Sequence, residues 1–305
     1  MHLAEGTLPL VQAGAWTAVA FPMLIWSVRG EQVERLANPQ SSVLMAAVTS
    51  ILFAATLLPL PVPVVGATSH ICLTPLFALI VGVRRLIWAT CFILLLQALF
   101  FAHGGLTTLG VNTLTLGCLG PLFTVLLWSL FRKVGLNNFG ALGLACGLGG
   151  LGVYAIDALV LGISLSDEVN VKTTVMSVLV GFAPVQIPLS ILEGFVSVKI
   201  VHLLMSRRKD LLPSNLATIR KGAIPVSTLA FLLIVLGLSG CTYEGIDGTV
   251  FGDIAERGGN PPVDSIIDFS QGEMGLAMSI VILFGLGFVA GSSWHHLFSG
   301  DHDAK

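Results

Sequence analysis

Charge is what this sequence has least of. Of its 305 residues only 10% are Asp, Glu, Lys or Arg, against about 25% in soluble domains, which excludes an ordinary water-soluble fold. The formal net charge is -2, so no basic surface invites nucleic acid. Five cysteines, at 72, 91, 118, 146 and 241, form no C-x-x-C pair, the usual zinc or redox spacing. All but Cys241 lie in or beside apolar segments, where cysteine acts as a small hydrophobe, and no disulfide framework is expected. No G-x-x-x-x-G-K-[ST] occurs, so the chain has no P-loop ATPase site of its own. A His-x-x-x-His or Glu-x-x-His pair is also missing, which weighs against an enzyme with a helix-borne catalytic metal. Ahead of His2 there is no basic region leading to a cleavage site, and the N-terminus as written is expected to be the mature one.

What is present is apolar. Hydrophobic residues make up 54% of the chain and the mean hydropathy is +0.90, the composition of a polytopic membrane protein. Apolar runs of the roughly 20 residues that cross a bilayer predict an all-α bundle of about nine spans. They run approximately over 9–28 and 41–60, then as a shorter one ending at Val83, then over 86–102. A fifth ends at Phe131, and the others cover 139–161, 173–205, 222–240 and 274–290. Prolines and a glycine break the chain between Pro61 and His70. Residues 1–209 form one unit of about seven spans, 210–221 a cytoplasmic linker, and 222–305 a two-span region around an acidic loop, 241–273.

Basic residues set the orientation. Arg29 and Arg35, Arg84 and Arg85, Arg132 and Lys133, and the group from Arg207 to Lys221 share one side of a nine-span layout, which assigns that side to the cytoplasm. The N-terminus then lies outside and the C-terminus inside. The loops carrying His70 and His103 fall outside with His2. The acidic loop also lies outside, with Glu244, Asp247, Asp253, Glu256, Asp264, Asp268 and Glu273 against Arg257. It is read as a solvated face that can also concentrate cations. His295, His296 and His302, with Asp301 and Asp303, are read as a short cytoplasmic polar tail rather than a metal site.

A histidine in second place gives a free N-terminus the means to chelate. The Met1 amine, the His2 backbone nitrogen and its Nδ1 close two fused rings around one ion. Planar nitrogen coordination suits Ni(II) or Cu(II) better than zinc, and His70, after its Pro-rich turn, is the best candidate for a fourth corner. Ser69 flanks it. His103 stands at a helix end before Gly104 and Gly105, either touching a metal ligand, lining the entrance or bonding the last helical carbonyls. Glu5 and Asn112 can orient the N-terminal loop as outer partners of the ligands, or serve as caps. Glu193 and Asp157 fall within apolar spans, where an unpaired charge is costly, and are expected to be protonated or paired inside the bundle.

Several stretches resemble one family. MHLAEGTLP at the N-terminus, VGATSH at 65–70, LLQALFFAHGGLTTLGVNTLTLGCLGP at 95–121 and IPLSILEG at 187–194 are similar to motifs of the CbiM/NikM family. These are the substrate-specific membrane subunits of energy-coupling-factor uptake systems for cobalt and nickel. The last two spans and acidic loop resemble, in layout, the small partner CbiN or NikN, here fused. The resemblance implies metal ligation by Met1, His2 and His70. It also implies partnership with a transmembrane coupling component and ATP-binding-cassette ATPases in the plasma membrane, with the metal site outside. The transported ion is Ni(II), favoured by planar nitrogen, or Co(II), and no catalytic cofactor is expected. A metal-dependent membrane enzyme and a purely structural membrane partner are the rival classes.

Overall fold

The computed structural model describes residues 2–62, 67–166, 170–217, 244–265, 267, 269 and 272–298. Among them the chain is a helical bundle with one very small sheet. Helix α1 (Leu10–Ala37) leads through Asn38 into α2 (Pro39–Leu57), and a hairpin of β1 (Leu60–Val62) and β2 (Ala67–Ser69) follows. A short α3 (Thr74–Val81) precedes α4 (Val83–Phe101). Helices α5 (Leu109–Leu114) and α6 (Gly120–Lys133) run on through a π-helical turn, Thr115–Leu119. After α7 (Asn138–Ser164) and α8 (Val171–Arg207) come a 3-10 turn and the one-turn α9 (Ser214–Ala217). Strand β3 (Glu244–Gly245), α10 (Ile246–Arg257) and α11 (Gly272–Phe298) complete the described chain.

Local chemistry sets several of these boundaries. Asn137 and Asn170 precede α7 and α8, and their side chains accept from Gly140 N at 2.7 Å and Thr173 N at 3.2 Å, satisfying backbone donors that a helix start leaves over. Gly82, at φ 85°, makes the corner between α3 and α4 that a side chain would strain. Glycines let α7 and α8 touch backbone to backbone: a Cβ added at Gly194 would stand 2.5 Å from Gly143 O, and one at Gly147 2.7 Å from Ser190 O. Small residues serve this purpose in membrane bundles, where no hydrophobic force draws helices together. Outward-facing Phe21, Trp26, Leu126, Ile191 and Phe284 are exposed, as a lipid-facing surface requires.

Among the described residues, seven helices are long and apolar enough to cross a membrane, counting 109–133 as one. Two differences from the sequence expectation stand out. The shorter third run is no continuous span: α3 has 8 residues, about 12 Å of helix at 1.5 Å per residue. Residues 70–73 lead into it in non-helical backbone, with Leu73 at φ 52°. The crossing is still completed, because α4 then carries the chain back so that His103 lies beside His70, their ring centroids 5.7 Å apart. The acidic loop, in turn, is partly folded. Glu244 and Gly245 add a parallel strand to β2, and α10 buries Phe251, Ile254 and Ala255. The expected span at 222–240 lies outside the described residues.

The ends of the bundle differ. Away from the histidines, Arg85 pairs with Glu31 at 2.6 Å, and Arg84 lies over the Trp26 ring at 4.8 Å while its Nε donates to Trp26 O at 3.1 Å.

Candidate metal centre

The N-terminal segment folds back onto the turn between α4 and α5. Asn112, early in α5, holds Leu3 on both sides: Leu3 N donates to its Oδ1 and its Nδ2 donates to Leu3 O, both at 3.0 Å. The Thr108 hydroxyl adds a third bond to Leu3 O at 2.6 Å. One residue pair further on, the Glu5 carboxylate accepts from Leu106 N at 2.6 Å and Thr107 N at 3.3 Å. Gly105 makes this approach possible, since a Cβ there would lie 2.6 Å from Glu5 N. His2 is thereby fixed at the mouth of the turn, buried to 3% exposure.

Three imidazoles meet there. The His2 ring centroid lies 5.0 Å from that of His70 and 4.3 Å from that of His103, and one nitrogen from each of the three falls within 4.8 Å of the others. Nitrogens that share an ion at about 2.1 Å stand at most about 4.2 Å apart, so tenths of an ångström of side-chain motion complete the geometry. Both ring nitrogens of His2 and Nε2 of His103 have no hydrogen-bond partner among the described residues. Buried donors and acceptors left open are rare, and a metal ion held between the rings would satisfy these. The rings border a cavity of about 470 Å³ that Ala4, Ser69, Gly104 and Gly245 also line.

Burial keeps these rings uncharged. It pushes the pKa of His2 and of His70 well below the ordinary imidazole value, and the neighbouring imidazoles lower His2 further. His103 is pushed down to about 4, again chiefly by burial, with a hydrogen bond to the Thr56 backbone opposing. Neutral imidazole is the form that binds a metal.

The structure brings His2, His70 and His103 together and places Glu5 and Asn112 as braces for the N-terminal loop. The Ser69 hydroxyl is engaged outside the cluster: it lies 3.0 Å from the Tyr154 hydroxyl and accepts from Gln186 Nε2 at 2.6 Å. Thr108, Tyr154 and Gln186 were not singled out from sequence, although a glutamine between two prolines of an apolar helix and one of only two tyrosines are visible anomalies. Glu193 is accounted for, because its carboxylate accepts from Leu73 N at 2.7 Å. Asp157 is buried in α7 beside the side chain of Thr115. His295 and His296 lie in the last turn of α11 rather than in a tail. Met1 and His302 lie outside the described residues.

The fold and this centre define a polytopic helical membrane protein with a buried imidazole cluster suited to a transition-metal ion. The sequence matches the CbiM family, described as the cobalt uptake substrate-specific transmembrane region, over residues 2–211. The cobalt transport protein CbiM of Geobacter sulfurreducens is 33% identical over 320 residues, covering 97% of this chain and 90% of that one. That of Sorangium cellulosum is 37% identical over 216 residues, covering 70% and 94%. Crystal structures of a transition metal transporter and of a truncated one share the fold at TM-scores of 0.58 and 0.57. Each covers 68% of this chain, at 21% and 20% identity. The chain belongs to the CbiM family, whose members are transport proteins and not enzymes.

Proposed function

We propose that this protein captures a divalent transition-metal ion from outside the plasma membrane as the substrate-binding subunit of an energy-coupling-factor uptake system. The convergence of His2, His70 and His103 within 4.8 Å of one another carries this reading. The Met1 amine and His2 nitrogens would supply the chelate and His70 a further ligand. The names of the relatives favour Co(II). Ni(II) is the second reading, favoured by the planar nitrogen set that a His in second place offers.

Without a P-loop, uphill transport needs ATP-binding-cassette ATPases and a transmembrane coupling component as partners. The outward assignment of the site rests on the basic residues gathered at the opposite end of the bundle. The region from residue 222 onward serves as a fused CbiN/NikN-like element, supported by its contacts with the centre: Val263 N donates to Glu5 O at 3.0 Å, and Gly245 borders the cavity.

The deciding experiment measures bound metal in purified protein with a free N-terminus after loading with Co(II) or Ni(II) in competition. One ion per chain, lost in His2→Ala and after N-terminal extension, is expected; because Ni(II) binds most nitrogen sites more tightly than Co(II), the cargo is named by which ion cells carrying the intact system accumulate. Full occupancy in both altered proteins would overturn the chelate.

A further inference from the structure

We propose that Gln186 and Glu193 are positioning residues which set where His70 stands, so that its position is governed by α8 while that of His2 is governed by α5. This deepens the metal-capture reading above and rests on it.

The segment on both sides of His70 is tied to α8, by a side chain before it and by backbone amides after it. Immediately before it, the buried Ser69 hydroxyl accepts from Gln186 Nε2 at 2.6 Å, and the same Nε2 lies 2.6 Å from the Tyr154 hydroxyl. Just after it, Leu73 N and Cys72 N donate to the Glu193 carboxylate at 2.7 and 3.4 Å. Gln186 and Glu193 are seven residues apart, two helical turns, and so lie on one face about 10 Å apart along the axis. His70 sits in the short stretch held between these two attachments. Both groups are buried, where a hydrogen bond is strengthened by the low local dielectric.

Beside His2, the hydrogen bonds of Leu3 and of the Glu5 carboxylate run to different elements. Leu3 is held by Asn112 and Thr108, and Glu5 by the amides of Leu106 and Thr107. His103 belongs to the same turn. An ion between His2 and His70 therefore joins one ligand held by α5 and its preceding turn to another held by α8. Pro184 and Pro188 lie inside α8 on either side of Gln186, and each removes one helical hydrogen bond, so the helix bends there most readily.

The test is a cycle of variants read by Ni(II) titration and by the ligand-field spectrum of the loaded, N-terminally free protein. Gln186→Leu is expected to weaken binding about 10–100-fold, the usual cost of losing an outer partner of a ligand. Its spectrum should move toward that of His70→Ala, and it should cost nothing further in the His70→Ala background. Glu193→Leu should behave likewise, whereas Glu193→Gln, which keeps an acceptor for Leu73 N, should restore the wild-type spectrum. Thermal melting of each variant separates this effect from loss of fold. Wild-type binding in Gln186→Leu, or equal losses with and without His70, overturns the positioning role while leaving the metal site standing. Undiminished binding in His70→Ala overturns the ligand assignment itself.

Discussion

At the scale of single residues, the candidate centre combines imidazoles that could hold an ion with groups that hold the loop. Asn112 is of the second kind. Asn112→Ala leaves Leu3 N without its partner, a loss of about 1–3 kcal/mol for a buried donor. Metal affinity is expected to fall about 10–100-fold as the outer support goes, and calorimetric titration beside thermal melting measures both. The histidines fix the pH response. Their folded pKa values lie below the ordinary imidazole value of 6.5, so between that value and the folded one the unfolded chain binds more protons. Stability is therefore present in full above pH 6.5 and lost as pH falls toward the lowered values, about 4 for His103, by linkage. Metal affinity falls in the same direction, because protons compete for the same nitrogens. A melting series of the apo-protein that rises on acidification through this window would contradict the sign. Asp157 makes the opposite point. Its carboxylate is buried in an apolar span beside the Thr115 side chain, where a charge is costly, so Asp157→Asn, which keeps an acceptor for Thr115 and removes the charge, should raise the melting temperature. A marked fall would reveal a partner that the carboxylate needs.

At the scale of elements, legibility followed the range of the interactions. The long spans were readable because bilayer thickness writes itself into runs of apolar residues. The pairing of His70 with His103 was readable because an even number of crossings returns a chain to the same side. Hydropathy could not distinguish a full span from α3, where Pro75 starts an eight-residue helix and Leu73 turns left-handed before it. Nor did it show α10 inside the acidic loop, although Ile246, Val250, Phe251 and Ile254 recur at helical spacing and three of them are buried. The Ser69–Gln186 bond joins residues 117 positions apart, which no local pattern encodes. The glycine richness of α7 was visible without its reason, which is the contact with α8. Gly194→Ala drives a Cβ to 2.5 Å from Gly143 O and should cost about 1–3 kcal/mol, as overpacking does. Gly14→Ala, with nothing within 4 Å of the added atom, is the control and should be neutral or mildly stabilising.

The described residues are polarised: the imidazole cluster and the acidic segment, with Arg257 and Lys172, occupy one end, and Arg84, Arg85, Arg132, Lys133, Arg207 and Arg208 the other. Lys and Arg near span ends are retained on the cytoplasmic side, so the basic end should be inside and the histidines outside. This arrangement fits a protein that takes ions from the exterior and hands them inward, and it can be tested without any transport assay. In a Cys241→Ser background the cysteines at 72, 118 and 146 are buried and Cys91 half-buried, so labelling by a membrane-impermeant thiol reagent should be low. Asp264 and Lys133 are both exposed and lie toward opposite ends. Asp264→Cys should label in intact cells, while Lys133→Cys should label only after the membrane is opened. The reverse pattern would place the centre in the cytoplasm, where a subunit for metal uptake has no use for a capture site, and the transport direction would have to be redrawn.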